Sequence, residues 1–549
     1  MIKGLPERHC LHTGIRKFLA LGGAFLALNA CLSFHNIWPT PWIRLQPEIS
    51  IEALVIILLI GLGSSHGLVE KKAGRFTLVS ILIVLIIGRY LDVTAPSLYG
   101  RPINLYWDLQ HIPGVAAMLI TDANATAVLL LGLIVSLAFG SLFWLISVLL
   151  RPLITCGKRS RQWLNISAIL GMLAYTAGMT SDSIHLERSF SIPVSLMYAR
   201  QALFLYQVAQ DSREAENSFA GLQHEAGTIE LDKKDFHLVF LESYGTTAFK
   251  TPSYYIQIAP HLNQLAELAR EHGWEMVTGV YHTPTFGGAS WLSHATLMTG
   301  QWISSNNQYH QLLTTESGTL ANWFRNSGYR ITALLPGLKR HWPEGRFYNY
   351  DKIWDAKSLA YPGPDFGWWR IPDQFTLARF YDEEGKQGQR APLFNLFATI
   401  TSHMPFNPIP PIEQDWSKLL TSKPYSETDQ IENSSAILYG EELQASYGRA
   451  IAYDLQLVGN LLTLTSPQRP LIIVLGDHQP PAIIAGHGAP WTVPVHVFSD
   501  DKTILQKFTK AGFVAGLEPE HQSLGQLDDL HHLLLHAIAS PRKISRNEN

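Results

Sequence analysis

The chain has 549 residues, of which 46% are hydrophobic and only 16% charged, against about 25% charged in ordinary soluble domains; this disfavours a disordered, fibrous or ordinary cytosolic chain. Its 42 basic and 45 acidic residues sum to −3, which gives no case for a nucleic-acid partner. The sum hides a split, because residues 1–180 hold 14 Lys/Arg against 7 Asp/Glu while residues 181–549 hold 28 against 38.

The basic first third carries five apolar tracts, roughly 18–37, 50–67, 76–91, 125–150 and 162–179. A helix needs about 20 apolar residues to cross the hydrocarbon, so the expected first module is a five-helix membrane domain over residues 1–180. The third tract is the weakest, since its charge-free run is short and Arg89 sits near its end, where it is expected to snorkel or lie at the interface near Asp92. Eleven basic residues, including Lys3, Arg16, Lys71, Arg75, Arg151 and Arg161, fall in loops on one side, against Arg44, Arg89 and Arg101 on the other. The excess marks the cytoplasmic side. The N-terminus is therefore expected in the cytoplasm, and five crossings put residues 181–549 outside the cytoplasmic (inner) membrane; loss of one span would reverse that. The outer segment 99–120, with Arg101, Asn104, Tyr106, Trp107, Asp108 and His111, reads as interfacial, either a connecting helix or part of a lipid headgroup site. All three cysteines, Cys10, Cys31 and Cys156, belong to the first third, so the exported part needs no disulfide.

Residues 181–235 read as a linker with an amphipathic helix from Leu196 to Val208. From 236 to 549 the pattern changes. Short apolar runs at 237–241, 329–336, 393–401, 471–475 and 493–498 read as strands, and 259–271, 435–460 and 524–539 read as helices. Interspersed strands and helices imply an α/β sandwich with a mostly parallel central sheet. In such sheets chemistry gathers beyond the carboxyl ends of the strands. Three runs deliver proton- or metal-capable groups there: Glu242, His403, and Asp477 with His478. Each also has a plainer reading, a helix-capping carboxylate or a surface histidine; what argues for function is their joint placement. Ser290 follows Gly287 and Gly288 at the entry to an apolar helix, where the free first-turn amides favour an oxyanion. Its plainer reading is a helix N-cap. Residues 339–375 hold Arg340, His341, Trp342, Trp368, Trp369, Arg370 and Asp373. Aromatic faces suit a sugar or glycerol and Arg suits phosphate, so this segment is the expected substrate pocket; otherwise its tryptophans simply pack on the core.

Glu242 in Leu-Glu-Ser-Tyr-Gly, Ser290 opening a helix that ends in Met298-Thr299-Gly300, Thr401-Ser-His403-Met-Pro405, and Gly476-Asp477-His478 together resemble the alkaline phosphatase and sulfatase superfamily. The likeness is closer to its membrane-bound transferases, the lipoteichoic acid synthases, phosphoglycerol transferases and lipid A phosphoethanolamine transferases, which join five membrane helices to an exported sulfatase-like domain. The resemblance implies one divalent metal, Zn or Mn, bound by Glu242, Ser290, Asp477 and His478. Ser290 would be the nucleophile, assisted by His403 and by His487 in Gly486-His487-Gly488. It supports the Gly367-Trp368-Trp369 and Asp373 pattern as headgroup-binding, with His294 as a spare substrate contact. Two departures stand out. Ser takes the place of the transferases' usual Thr, and His294 stands where sulfatases carry Arg. Without Cys at 290 there is no formylglycine precursor, so a classical sulfatase is disfavoured.

The implied reaction transfers a phospholipid headgroup, phosphoglycerol or phosphoethanolamine, through a covalent Ser290 intermediate to a surface or periplasmic glycan or glycolipid. The alternatives are a membrane-anchored phosphatase or phosphodiesterase using water, and a lipid-binding pseudoenzyme, which a complete ligand set disfavours. The expected partners are a donor lipid of the outer leaflet and the acceptor, with the protein a monomer.

Overall fold

The computed structural model describes residues 7–38, 40–99, 102–105, 108–109, 125–180, 189–218, 228–315, 318–340, 342–367, 371–426, 440–464, 468–520 and 522–539. The chain divides into two compact units, Met1–Ala209 and Gln210–Asn549.

In the first unit helices form over all five apolar tracts: α1 (Glu7–Ser33), α2 (Ile51–Ser65), α3 (Lys72–Tyr99), α4 (Ala125–Thr155) and α5 (Lys158–Thr180). Lys72–Leu98 and Gly132–Thr155 are long and apolar enough to cross a membrane, while Phe18–Ser33 and Ile51–Ser65 are shorter apolar stretches. The weakest tract in sequence thus lies in one of the two longest apolar helices. Arg89 does not snorkel: it is 1% exposed. Its Nε donates to the Phe34 carbonyl at 2.8 Å and its Nη1 to the Ile192 carbonyl at 3.1 Å. Those carbonyls lie outside regular helix, so the guanidinium satisfies groups that would otherwise be stranded in an apolar setting. Strands β1 (His35–Asn36) and β2 (Ile43–Arg44) form a small antiparallel hairpin between α1 and α2. Helix α6 (Val194–Ser218) is longer than the amphipathic stretch expected. Its start is held by Glu52 of α2, whose Oε1 accepts from the Ser195 N–H and hydroxyl, both at 3.0 Å. Arg101, Tyr106, Trp107 and His111 of the interfacial segment lie outside the described residues. Beside them, the Gln201 side chain of α6 accepts from the Leu105 N–H and donates to the Ile103 carbonyl, each at 2.9 Å.

Among the described residues, the second unit is an α/β domain around a nine-stranded mixed sheet of order β10-β4-β9-β8-β3-β7-β5-β6, with β11 beside β4. The strands are β3 (Phe236–Leu241), β4 (Glu275–His282), β5 (Arg330–Leu335), β6 (Lys352–Asp355), β7 (Leu393–Ala398), β8 (Leu471–Gly476), β9 (Thr492–Ser499), β10 (Val514–Ala515) and β11 (Gly525–Gln526). The parallel set β8-β3-β7-β5-β6 contains four of the strands expected from sequence, β3, β5, β7 and β8, and adds β6, which is not among those expected. Antiparallel pairings of β9 with β8 and β4, and of β10 with β4, make the sheet mixed.

Every residue of β3 and β8 is buried, as strands covered on both faces must be. Side-chain alternation splits them between two cores. Val239, Leu241, Ile472 and Val474 pack with helices α7 (Pro252–Glu271) and α11 (Gly440–Thr463). Phe236, Leu238, Phe240, Ile473 and Leu475 pack on the opposite face with α9 (Leu320–Asn326), α12 (Lys502–Lys510) and α13 (Leu527–Ile538). Phe236 and Phe394, opposite one another in the β3–β7 register, stack at 5.5 Å. Truncating either ring would cost about 3–5 kcal/mol. Two rigid cores clamp the middle strands, so the positions of their carboxyl ends are fixed.

Candidate functional site

β3 and β8 are hydrogen-bonded neighbours paired Leu241 to Gly476. The residues that follow, Glu242 and Asp477-His478, therefore leave the sheet side by side. Gly476 has to be glycine, because a Cβ there would lie 1.9 Å from the Tyr244 carbonyl oxygen. Ser243 takes a left-handed backbone, φ 58°. That turn aims its N–H at Asp477 Oδ1, 2.8 Å, and its hydroxyl at Glu242 Oε1, 3.1 Å.

Ser290 arrives from another direction. Gly287, Gly288 and Ala289 all have positive φ, 66°, 137° and 64°, and the turn ends at the first residue of helix α8 (Ser290–Thr299). Ser290 is thus the opening residue of the helix, and Ala289 takes the N-cap position. The turn is pinned to the segment after β8 by the Gly287 N–H, which donates to the Gln479 carbonyl at 3.0 Å. The Ser290 hydroxyl donates to Glu242 Oε2 at 3.3 Å and lies 3.2 Å from His478 Nε2. His478 Nδ1 lies 2.8 Å from the Gln479 carbonyl. A carbonyl only accepts, so Nδ1 carries the proton and the Nε2 lone pair faces Ser290.

One donor atom from each of Glu242, Asp477 and His478 lies within 4.8 Å of the others, and all three residues are buried. Among the described residues no Lys or Arg pairs with these two carboxylates, and His478 Nε2 lies 3.4 Å from Glu242 Oε1 and 3.5 Å from Asp477 Oδ2. Burial, followed by the Asp477 charge beside it, pushes the Glu242 carboxyl well above the usual carboxylate range. Burial also opposes the charge on Asp477, but His478, His294 and hydrogen bonds from Glu242 and Ser290 hold its pKa below the ordinary value. Two adjoining buried acids with one imidazole form a group able to hold a divalent metal.

The other expected site residues divide. His403, in the turn after β7, is half-buried with Nδ1 2.7 Å from the Met404 carbonyl. Burial lowers its pKa to about 4, and it senses the charges of His478 and Asp477. His294, one helical turn after Ser290, lies against Phe240 with ring centroids 4.2 Å apart. Its Nε2 is buried without a hydrogen-bond partner among the described residues, and burial lowers its pKa to about 4. His487 is exposed on the turn after the short helix Ala482–Ala485 and stands outside the converging group. Arg340 is exposed.

Trp342 is half-buried, stacks on Tyr348 at 5.7 Å and packs against the core that holds Phe236 and Phe394. Asp373, read from sequence as a headgroup contact, opens helix α10 (Asp373–Phe380) and is wholly buried. Its carboxylate accepts from the Ile400 and Thr401 N–H groups at 2.8 to 3.0 Å and from the Thr401 hydroxyl at 2.6 Å. That corrects its role to fixing the turn that bears His403. His341, Trp368, Trp369 and Arg370 lie outside the described residues. Sequence reasoning missed Ser243, whose hydroxyl bonds Glu242 Oε1 directly, and Thr399, Ser402 and Asp454, which reach the site only through backbone groups or other side chains.

A half-buried hydroxyl beside two buried acids and an imidazole, at the carboxyl ends of parallel strands, is an arrangement suited to nucleophilic ester cleavage or group transfer. Residues 234–495, which lie within the second unit, match the family described as Sulfatase. No curated protein matches the chain. Among solved structures it is similar to an alkaline phosphatase superfamily protein from Vibrio parahaemolyticus, at 17% identity and TM-score 0.37 over 56% of this chain and 67% of that one. It is similar to the C-terminal periplasmic domain of EcEptC from Escherichia coli, at 15% identity and TM-score 0.38 over 57% and 84%. It is also similar to the Streptococcus pyogenes phosphoglycerol transferase GacH, at 11% identity and TM-score 0.37 over 60% and 80%.

Proposed function

We propose that the protein is a membrane-anchored transferase that moves a phospholipid headgroup, phosphoglycerol or phosphoethanolamine, onto a cell-surface or periplasmic glycan or glycolipid. The observation that carries this reading is the meeting of the Ser290 hydroxyl with Glu242, Asp477 and His478. Its superfamily setting and the apolar helices of the first unit support it. The proposed organisation is a five-span domain over 1–180 in the inner membrane, a linker over 181–235, and a catalytic domain over 236–549 on the outer side, acting as a monomer.

Glu242, Asp477, His478 and the Ser290 oxygen would hold one Zn or Mn ion, which when bound supplies Lewis-acid polarisation and lowers the pKa of the hydroxyl. Ser290 Oγ attacks the headgroup phosphorus, a P–O bond to Ser290 forms, and the P–O bond to diacylglycerol breaks. The serine proton passes to one of the two groups its hydroxyl meets, Glu242 or His478, and from there to the departing diacylglycerol oxygen. The acceptor hydroxyl then attacks phosphorus, its new P–O bond replaces the one to Ser290, and its proton returns to the Ser290 oxygen, while His403 and His487 hydrogen-bond phosphoryl oxygens or shuttle protons. Tethering to the bilayer keeps the site beside a donor that stays in the leaflet.

Incubation of the full chain with headgroup-labelled phospholipid, with and without glycan acceptor, tests the reading. Label on the glycan supports it. Release of free headgroup alone, whatever the acceptor, identifies a hydrolase instead.

A further inference from the structure

The backbone of Glu242 is gripped from both sides by the turn after β7. Its N–H donates to Thr399 Oγ1 at 3.1 Å, and its carbonyl accepts from Ser402 Oγ at 2.6 Å. Behind Ser402 stands Asp454 of α11, whose Oδ2 is hydrogen-bonded to the same hydroxyl. Ser402 and Asp454 are both 0% exposed. Seven residues earlier on α11, and so on the same helical face, the Tyr447 hydroxyl donates to the Ser243 carbonyl at 3.1 Å. One helix therefore backs the Glu242-Ser243 peptide at two points, once directly and once through Ser402.

Proton counting decides the form of Asp454. The Glu242 carbonyl can only accept, and Ser402 has a single hydroxyl proton to give. With that proton on the carbonyl, the hydrogen between Ser402 and Asp454 comes from the acid. The surroundings agree. Among the described residues no Lys or Arg pairs with Asp454, and its Oδ1 has no hydrogen-bond partner, a poor setting for a carboxylate and a tolerable one for a neutral acid. Burial, followed by the nearby Asp373 charge, raises its pKa well above the ordinary value.

We infer that Asp454 is a positioning residue, held as the neutral acid, whose O–H bonds Ser402 and so fixes both the Glu242 backbone and the turn that carries His403. This rests on the reading of Glu242 as a metal ligand. Asp454 touches neither metal nor substrate; it sets where a ligand stands, and partners of that kind typically govern 10–100-fold in metal affinity.

The test uses the full chain and its Asp454→Asn, Asp454→Ala and Ser402→Ala variants. Zn and Mn affinities are measured by chelator competition, and infrared difference spectra are recorded at neutral pH. Asparagine can still donate to Ser402, so Asp454→Asn should keep metal affinity within about threefold of the parent while losing one protonated-carboxyl band. Asp454→Ala and Ser402→Ala should weaken metal binding about tenfold or more. If Asp454→Ala does not fold, Ser402→Ala and the infrared band carry the test. An infrared spectrum unchanged by Asp454→Asn overturns the inference, as does parental metal affinity in Ser402→Ala. A parent chain that binds neither metal counts against the proposed function, and the infrared band then decides the protonation of Asp454 by itself.

Discussion

Ser290 Oγ and His478 Nε2 lie 3.2 Å apart although 188 positions separate the two residues in the chain. The approach is built by two unrelated devices, a parallel strand that ends in Gly476 and a turn of three positive-φ residues that ends in Ala289. A convergence of this kind has a direct consequence for activity. Ser290→Ala should leave the fold intact, since alanine is a good first-turn helix residue, while transfer or hydrolysis falls by at least about 10³-fold. Headgroup release from labelled lipid measures the loss, and circular dichroism checks the fold.

Acid should destabilise the second unit in a definite window. His237 and His496 are buried, and burial lowers their pKa values to about 4 and about 3. Unfolded histidine titrates near 6.5. The unfolded state therefore binds protons first, so the stability from keeping these rings neutral is complete above about pH 6.5 and is lost as pH falls toward 4. The His496 ring lies 3.1 Å from the Tyr244 hydroxyl and 2.8 Å from that of Thr278. Unfolding temperature followed against pH should be level above neutrality and decline below it, less steeply in His496→Gln.

A second acid limb belongs to Asp235. Burial disfavours its charge, but Arg390, His237 and the Leu393 N–H lower its pKa below the ordinary value. Arg390 makes two bonds to it, at 2.7 and 2.5 Å. Its contribution is present above the unfolded value of about 3.9 and disappears as pH drops through the folded one. Arg390→Ala strands a buried carboxylate and should cost about 3–5 kcal/mol, seen as a lower denaturation midpoint at neutral pH with a smaller deficit at pH 3.

Much of this was legible in the sequence. The parallel strands announce themselves as apolar runs because both faces are covered, and Glu242, Asp477-His478 and Ser290 stand at strand or helix ends where chemistry collects. β4 was not legible, because Thr278 and Gly279 interrupt its apolar pattern. Thr278 instead donates to the Gly516 carbonyl at 2.7 Å, and a Cβ at Gly279 would lie 2.8 Å from Leu524. These are contacts from distant chain, with no local signal. Asp373 misled for a related reason: an acid among aromatic and basic residues reads as a headgroup contact, and only the folded turn after β7 reveals the amides it caps. Asp454 gave no signal at all, since one acid inside an amphipathic helix looks like any solvated one.

The topology is open to labelling in intact cells. Five crossings place Trp42 and Glu70 on opposite sides of the membrane. In a cysteine-free chain, Trp42→Cys should react with an impermeant maleimide from outside and Glu70→Cys only after permeabilisation. The reverse pattern, or equal labelling, would remove the assigned orientation.

The most direct measurement is mass spectrometry of the peptide containing Ser290 after the full chain turns over a mixture of phospholipids in the presence of Zn or Mn. The account predicts that Ser290 gains the mass of phosphoglycerol or phosphoethanolamine, that the increment names the donor headgroup, and that a glycan acceptor discharges it. An unmodified Ser290 in a chain rapidly consuming lipid, or the increment on another residue, would contradict it.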